Sequence, residues 1–213
     1  MRTILLVLCI LSVTLSAKAQ FGKRWAAGNY YDTLGHKTAG FISWKAPEKL
    51  SKKPGDHLFF KSNEKADKNK IETSQLRSFT MGKDSFVVSQ LKELNYAPVL
   101  QVVMDKPIKL YYWSAEIVNL PFAVLGAVGG ALAGGTVISG MSSGKAYFYG
   151  PNCNALNTLT NKNFVDVMCN IMTDNPDVME IIKTKRFKLK DIDDLLIYYN
   201  TGLMPKKSQD DIY

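Results

Sequence analysis

Histidine is scarce in this chain of 213 residues: there are two, His36 and His57, and none after position 57. That scarcity excludes several chemistries. The run Gly140-Met141-Ser142-Ser143-Gly144 fits the pattern of a hydrolase nucleophile elbow. Its serine would need a histidine base downstream, and none exists. The same stretch with Lys145 resembles a phosphate loop one residue too short, and Ala146 stands where a magnesium-binding Ser or Thr belongs. Cysteine is scarce too, at Cys9, Cys153 and Cys169. With no imidazole nearby, the later pair cannot form a Cys/His zinc site. Charge is missing altogether from residues 117–144, a run of 28.

The N-terminus predicts export. Arg2 precedes a mostly apolar stretch over 4–15, and Ala17-Lys18-Ala19 sets small residues at the positions a signal peptidase reads. Residues 1–19 are therefore expected to be a signal peptide, with a mature chain from Gln20. Leu8 before Cys9 argues against lipid attachment, and the apolar stretch is too short for a permanent membrane helix. Two cysteines then remain, Cys153 and Cys169. An oxidising compartment permits a disulfide between them, which would contribute on the order of 3 kcal/mol. Two free thiols are the alternative.

The formal net charge is +8. The excess sits between His36 and Leu110, where 14 Lys/Arg face 8 Asp/Glu, while from Lys145 onward there are 9 of each. Lysines carry most of it, which suits a solubilising surface; acidic glycans or lipid head groups are the partners such a surface could attract. Nucleic acid is not expected for an exported protein, and no cofactor is implied.

Segments 38–45, 57–61, 75–81, 84–91, 98–104 and 108–113 are rich in aromatic and β-branched residues and recur every ten to fifteen positions, as an antiparallel sheet or small barrel requires. Gly82-Lys83-Asp84 and Asp105-Lys106-Pro107 read as hairpin connections. Residues 61–70 read as a polar exposed loop. After Asn161 the period changes to that of helices. Phe164, Val167, Met168, Ile171 and Met172 share one helical face. Asn175-Pro176 starts a second helix, with Val178, Ile181 and Ile182 inward. A third runs from about Asp191 to Asn200, with Ile192, Leu195, Leu196 and Tyr199 inward and Gly202 as its stop. Asp191, Asp193 and Asp194 suit its N-terminal dipole better than a calcium loop, whose glycine and distal Glu are missing.

Residues 117–144 form the fork. Their length allows a membrane helix, and Gly126, Gly130 and Gly134, spaced by four, would give it a groove for close helix packing. Seven glycines with Pro121 and Asn119 disfavour a helix in water, and Ser139, Ser142 and Ser143 suit a long turn between two strands. Of the aromatics Trp44, Phe59, Phe60, Tyr111, Tyr112 and Trp113, most are expected in the core. Tyr111, Tyr112 and Trp113 are adjacent, so alternation turns at least one outward and nominates them as a contact surface.

Ala17-Lys18-Ala19-Gln20, Asn29-Tyr30-Tyr31-Asp32 with Gly35 and Gly40-Phe41-Ile42, and the close from Lys162-Asn163-Phe164 through Asn175-Pro176 and Phe187 to Asp191 and Tyr198-Tyr199-Asn200 carry a resemblance. The chain resembles a loose group of uncharacterised exported proteins of Bacteroidetes-type bacteria. That resemblance brings no activity, and 117–144 departs from it.

The expected organisation is thus α+β: signal peptide 1–19, an antiparallel β-rich body over 20–158 interrupted by the Gly-rich segment 117–144, a three-helix cap over 159–203 and a polar tail over 204–213. Three functions fit. The first is a non-enzymatic envelope protein of the periplasm or outer membrane that binds or assembles with an envelope component. The second is insertion in a membrane or self-association through 117–144. The third is an enzyme whose site no motif betrays.

Overall fold

The computed structural model describes residues 25–47, 55–114 and 145–205. They form an α+β fold: an antiparallel sheet of ten strands followed by helices. The strands are β1 (Ala26–Asp32), β2 (Lys37–Ser43), β3 (His57–Lys61), β4 (Asn69–Glu72) and β5 (Leu76–Met81). They continue with β6 (Asp84–Val88), β7 (Val99–Met104), β8 (Lys109–Ser114), β9 (Lys145–Asn152) and β10 (Ala155–Thr158). The helices are α1 (Phe164–Ile171), α2 (Pro176–Lys183) and α3 (Ile192–Thr201). All six strand segments expected from composition are present. The stretch expected as a loop over 61–70 is shorter, because β4 begins at Asn69 and pairs with β3.

The strand order, β10-β9-β8-β7-β6-β5-β1-β2-β3-β4, joins two meanders through the β1–β5 pair. This order forces the sheet to curl. Four inter-strand spacings separate β4 from β5, about 19 Å in a flat sheet. The chain from Glu72 to Leu76 advances four residues and reaches at most about 14 Å. The first meander therefore rolls over the second. Ile42, Leu58 and Phe60 meet Leu76, Phe79 and Phe86 in one core cluster, and the Trp44 ring lies 5.9 Å from Phe79 and 5.1 Å from Phe86. Polar bonds fasten the roll. The Trp44 indole donates to Asp56 at 2.7 Å, and the Thr73 amide donates to the Asp56 carbonyl at 2.9 Å.

The helices cover the other end of the same sheet face. Leu110 and Met104 join Phe164, Met168, Ile171, Val178, Ile182, Ile192 and Leu195 in a second cluster, edged by Tyr147 and Tyr149. Local chemistry sets the helix limits. The Asn175 side chain accepts from the Val178 amide at 3.2 Å with Pro176 in the first turn, and Gly202 ends α3 at φ 70°. Two bonds tie the cap to the sheet: Tyr147 of β9 donates to Asp193 at 2.5 Å, and Lys106 of the β7–β8 turn donates to Asp174, after α1, at 2.8 Å; Asp174 also accepts from Tyr199 within the cap at 2.8 Å.

Candidate functional site

The sequence nominates β8 and its neighbours, so the question is what each residue there touches. Along β8, Tyr111 and Trp113 share one face with Leu100, Ala146, Phe148 and Leu156, while Leu110 faces the helices. The connection between β6 and β7 packs over the first of these faces through Leu94 and Ala97. Trp113 donates its indole N–H to the Ala97 carbonyl at 2.8 Å. Both sides of this half of the sheet are thus covered, and alternation no longer means alternation between core and water. Tyr111 is 1% exposed and Trp113 3%. That corrects the nomination of Tyr111 and Trp113 as a contact surface: both are core residues. Burial, reinforced by Cys153 and Asp105, pushes the Tyr111 phenol up to about 12.

Tyr112 alone of the three stays half-exposed. Its ring lies 5.1 Å from that of Tyr147. The Tyr147 phenol is held protonated to high pH, first by burial and then by its hydrogen bond to Asp193. Tyr112 therefore sits at the junction of sheet and cap.

The charged groups at that junction are structural. The hydrogen bond from Lys106 holds the Asp174 carboxyl below the usual carboxylate range, and Asp174 in turn raises Lys106. Each partner is fixed in its charged form, opposite to what proton transfer near neutrality needs. Asp191 accepts from the Lys188 amide at 3.1 Å and Asp193 from Tyr147, so these two aspartates serve the start of α3. Among the described residues no group of three His, Cys, Asp or Glu side chains is placed to hold a metal ion. His36 pairs with Asp32 at 2.9 Å, and His57 lies edge-on to Phe59 at 5.0 Å.

Both cysteines are free thiols. Cys153, in the β9–β10 turn, borders the cluster around Tyr111, while Cys169 of α1 borders the helical cluster on the opposite face. Desolvation raises both thiols.

Gly126, Gly130 and Gly134 lie outside the described residues, as do residues 1–19, expected to be a signal peptide, and most of the tail. The root of the glycine segment is described. β8 and β9 are paired to their last residues, with Ser114 opposite Lys145. Residues 115–144 therefore leave and re-enter the sheet at neighbouring points. Among the described residues no helix is long and apolar enough to cross a membrane.

Phe60 is buried, Trp44 half-buried against the same cluster, and Phe59 stays on the outer side of β3 with Lys68 5.8 Å above its ring. A separate depression, lined by Tyr31, Gly35, Arg77 and Ser78, has no sequence signature because a β-bulge creates it. No protein-family model, curated protein or solved structure matches the chain.

Proposed function

We propose that this protein is a non-enzymatic, exported cell-envelope protein that acts by binding or assembly, with residues 117–144 as the element that engages its partner. The observation that carries this reading is the combination of a 28-residue run without charge and its attachment to the paired ends of a hairpin. An uncharged insertion of that length adds apolar surface to an otherwise lysine-rich body, and surface of that kind marks contact with a protein or a membrane.

The second reading, membrane insertion, is favoured by the glycine spacing and narrowed by the hairpin. A one-way helical crossing takes about 20 residues and would leave its two ends on opposite sides of a bilayer. Ser114 and Lys145 are cross-strand partners, so insertion must be an excursion that returns. Two full helical crossings need about 40 residues, more than the 28 available, whereas two strand crossings of about ten residues each fit within that length. The two readings therefore converge on one element that associates with copies of itself, with a partner, or with a membrane that it enters and leaves on the same side.

The test compares the mature chain with a version in which residues 115–144 are replaced by Asn-Gly, the two-residue connection suited to such a hairpin. Sedimentation and flotation with anionic vesicles read the outcome. Association or vesicle binding by the parent, lost in the short-hairpin version, supports the proposal. Identical monomeric and vesicle-free behaviour of both removes the segment from the account.

A further inference from the structure

Between β1 and β5 the ladder is broken at one place. Tyr31 lies opposite Ser78, but Asp32 lies opposite Leu76, so Arg77 is an extra residue in β5. Leu76 and Phe79 both point into the core, at 0% and 1% exposure. Strict alternation cannot bury both, because they are three residues apart. The bulge resolves the conflict by turning Arg77 and Ser78 together toward the opposite side. There, with Tyr31 of β1 and Gly35 of the β1–β2 turn, they line a depression of about 310 Å³. Gly35 has φ 91° and open space where a side chain would be, so this wall is low.

The polar side chains lining the depression, the Arg77 guanidinium and the hydroxyls of Tyr31 and Ser78, are not engaged in hydrogen bonds or ion pairs among the described residues, though the Arg77 charge acts on the Cys153 thiol. The carboxylate at the bulge, Asp32, is committed to its own turn. One oxygen accepts from the amides of Leu34 and His36 at 2.9 and 2.8 Å, and the other meets the His36 ring at 2.9 Å. An arginine stands at this point of a surface whose other cations are mainly lysines. Its planar fork suits two parallel hydrogen bonds to an oxyanion, which a lysine cannot make.

We propose that this depression binds the oxyanion of a small acidic ligand, a carboxylate or phosphate borne on a molecule the size of one sugar ring. Arg77 pairs with the oxyanion, the hydroxyls of Tyr31 and Ser78 supply further hydrogen bonds, and the Tyr31 ring offers an apolar face to the ring of the ligand. The volume lies at the small end of ligand sites and accommodates one ring. The site stands independently of residues 117–144.

The experiment follows backbone amide NMR shifts of the mature protein during titration with glucuronate, glucose 1-phosphate, glucose, acetate and inorganic phosphate. Saturable shifts at Gly35, Arg77 and Ser78 with an acidic sugar, and none with glucose, are expected. The acidic sugar that binds more tightly identifies carboxylate or phosphate as the source. Arg77→Gln should weaken binding about tenfold or more, with Arg77→Lys between it and the parent. Arg77 is exposed, so both variants should melt with the parent. Absence of shifts with both acidic sugars, equal binding of glucose, or unchanged affinity in Arg77→Gln would overturn the proposal. Acetate and inorganic phosphate binding as tightly as the sugars would overturn its sugar component.

Discussion

Replacing Trp113 by alanine tests whether the second half of the sheet is covered on both faces. Trp113 is 3% exposed and packs with Leu94, Ala97, Leu100 and Phe148. Truncating a buried tryptophan costs about 3–5 kcal/mol through lost transfer energy and the cavity left behind. The Ala97 carbonyl also loses its indole partner, within a cost of about 1–3 kcal/mol if no water replaces it. For a domain of this size each kcal/mol moves Tm by about 2–4 °C, so the truncation alone should lower Tm by roughly 6–20 °C. Urea denaturation followed by far-ultraviolet circular dichroism measures the same loss as a shift in midpoint. Tyr112→Ala serves as the internal control, because Tyr112 is half-buried and should cost less than half as much. A loss below about 1 kcal/mol in Trp113→Ala would refute the two-sided packing and return Trp113 to the surface.

Further outcomes follow from other contacts. A Cβ on Gly28 would stand 1.9 Å from the Thr80 carbonyl oxygen in the pair that joins the two meanders. Gly28→Ala should therefore cost about 3 kcal/mol or more, or give insoluble protein; Gly35→Ala, where only the positive φ opposes the change, should cost about 1 kcal/mol. The Asp174 carboxyl has a folded pKa below its ordinary 3.8, so the stability it contributes is present above that value and is lost as pH falls through the folded pKa. The difference in urea midpoint between the parent and Asp174→Asn should accordingly shrink on acidification below about pH 4, and a constant difference would contradict the role given to Lys106 and Tyr199. Alkylation of the chain from Gln20 after unfolding without reductant should add two equivalents, at Cys153 and Cys169, whereas a mass showing a disulfide would contradict the placement of the thiols on opposite sheet faces.

The parts of this fold legible in the sequence are those set by neighbours in the chain. Gly82, at φ 65°, turns the β5–β6 hairpin between Met81 and Asp84, and Asn175, Pro176 and Gly202 mark helix ends because caps act within one turn. The apolar spacing of Phe164, Val167, Met168 and Ile171 likewise gave the buried face of α1 directly. What was not legible depends on distant partners. The β1–β5 pairing and the roll it imposes join segments separated by some fifty residues, and no local pattern specifies them. Alternation along β8 turns at least one of Tyr111, Tyr112 and Trp113 outward but does not say which; that it is Tyr112 depends on the β6–β7 connection, which covers the face Tyr111 and Trp113 share. The Arg77 depression was invisible for a related reason: a bulge is a mismatch between two strands, so neither strand alone announces it.

The central claim is that residues 117–144 attach this protein to its envelope partner or membrane. Cells producing the intact protein and the short-hairpin version, in which 115–144 are replaced, would be broken, and their membranes washed with alkaline carbonate. The account predicts that the intact protein sediments with the envelope, retained on the pellet or released with a stable partner complex, while the short-hairpin version is recovered free and folded in the soluble fraction. Equal recovery of both as free soluble protein would contradict it.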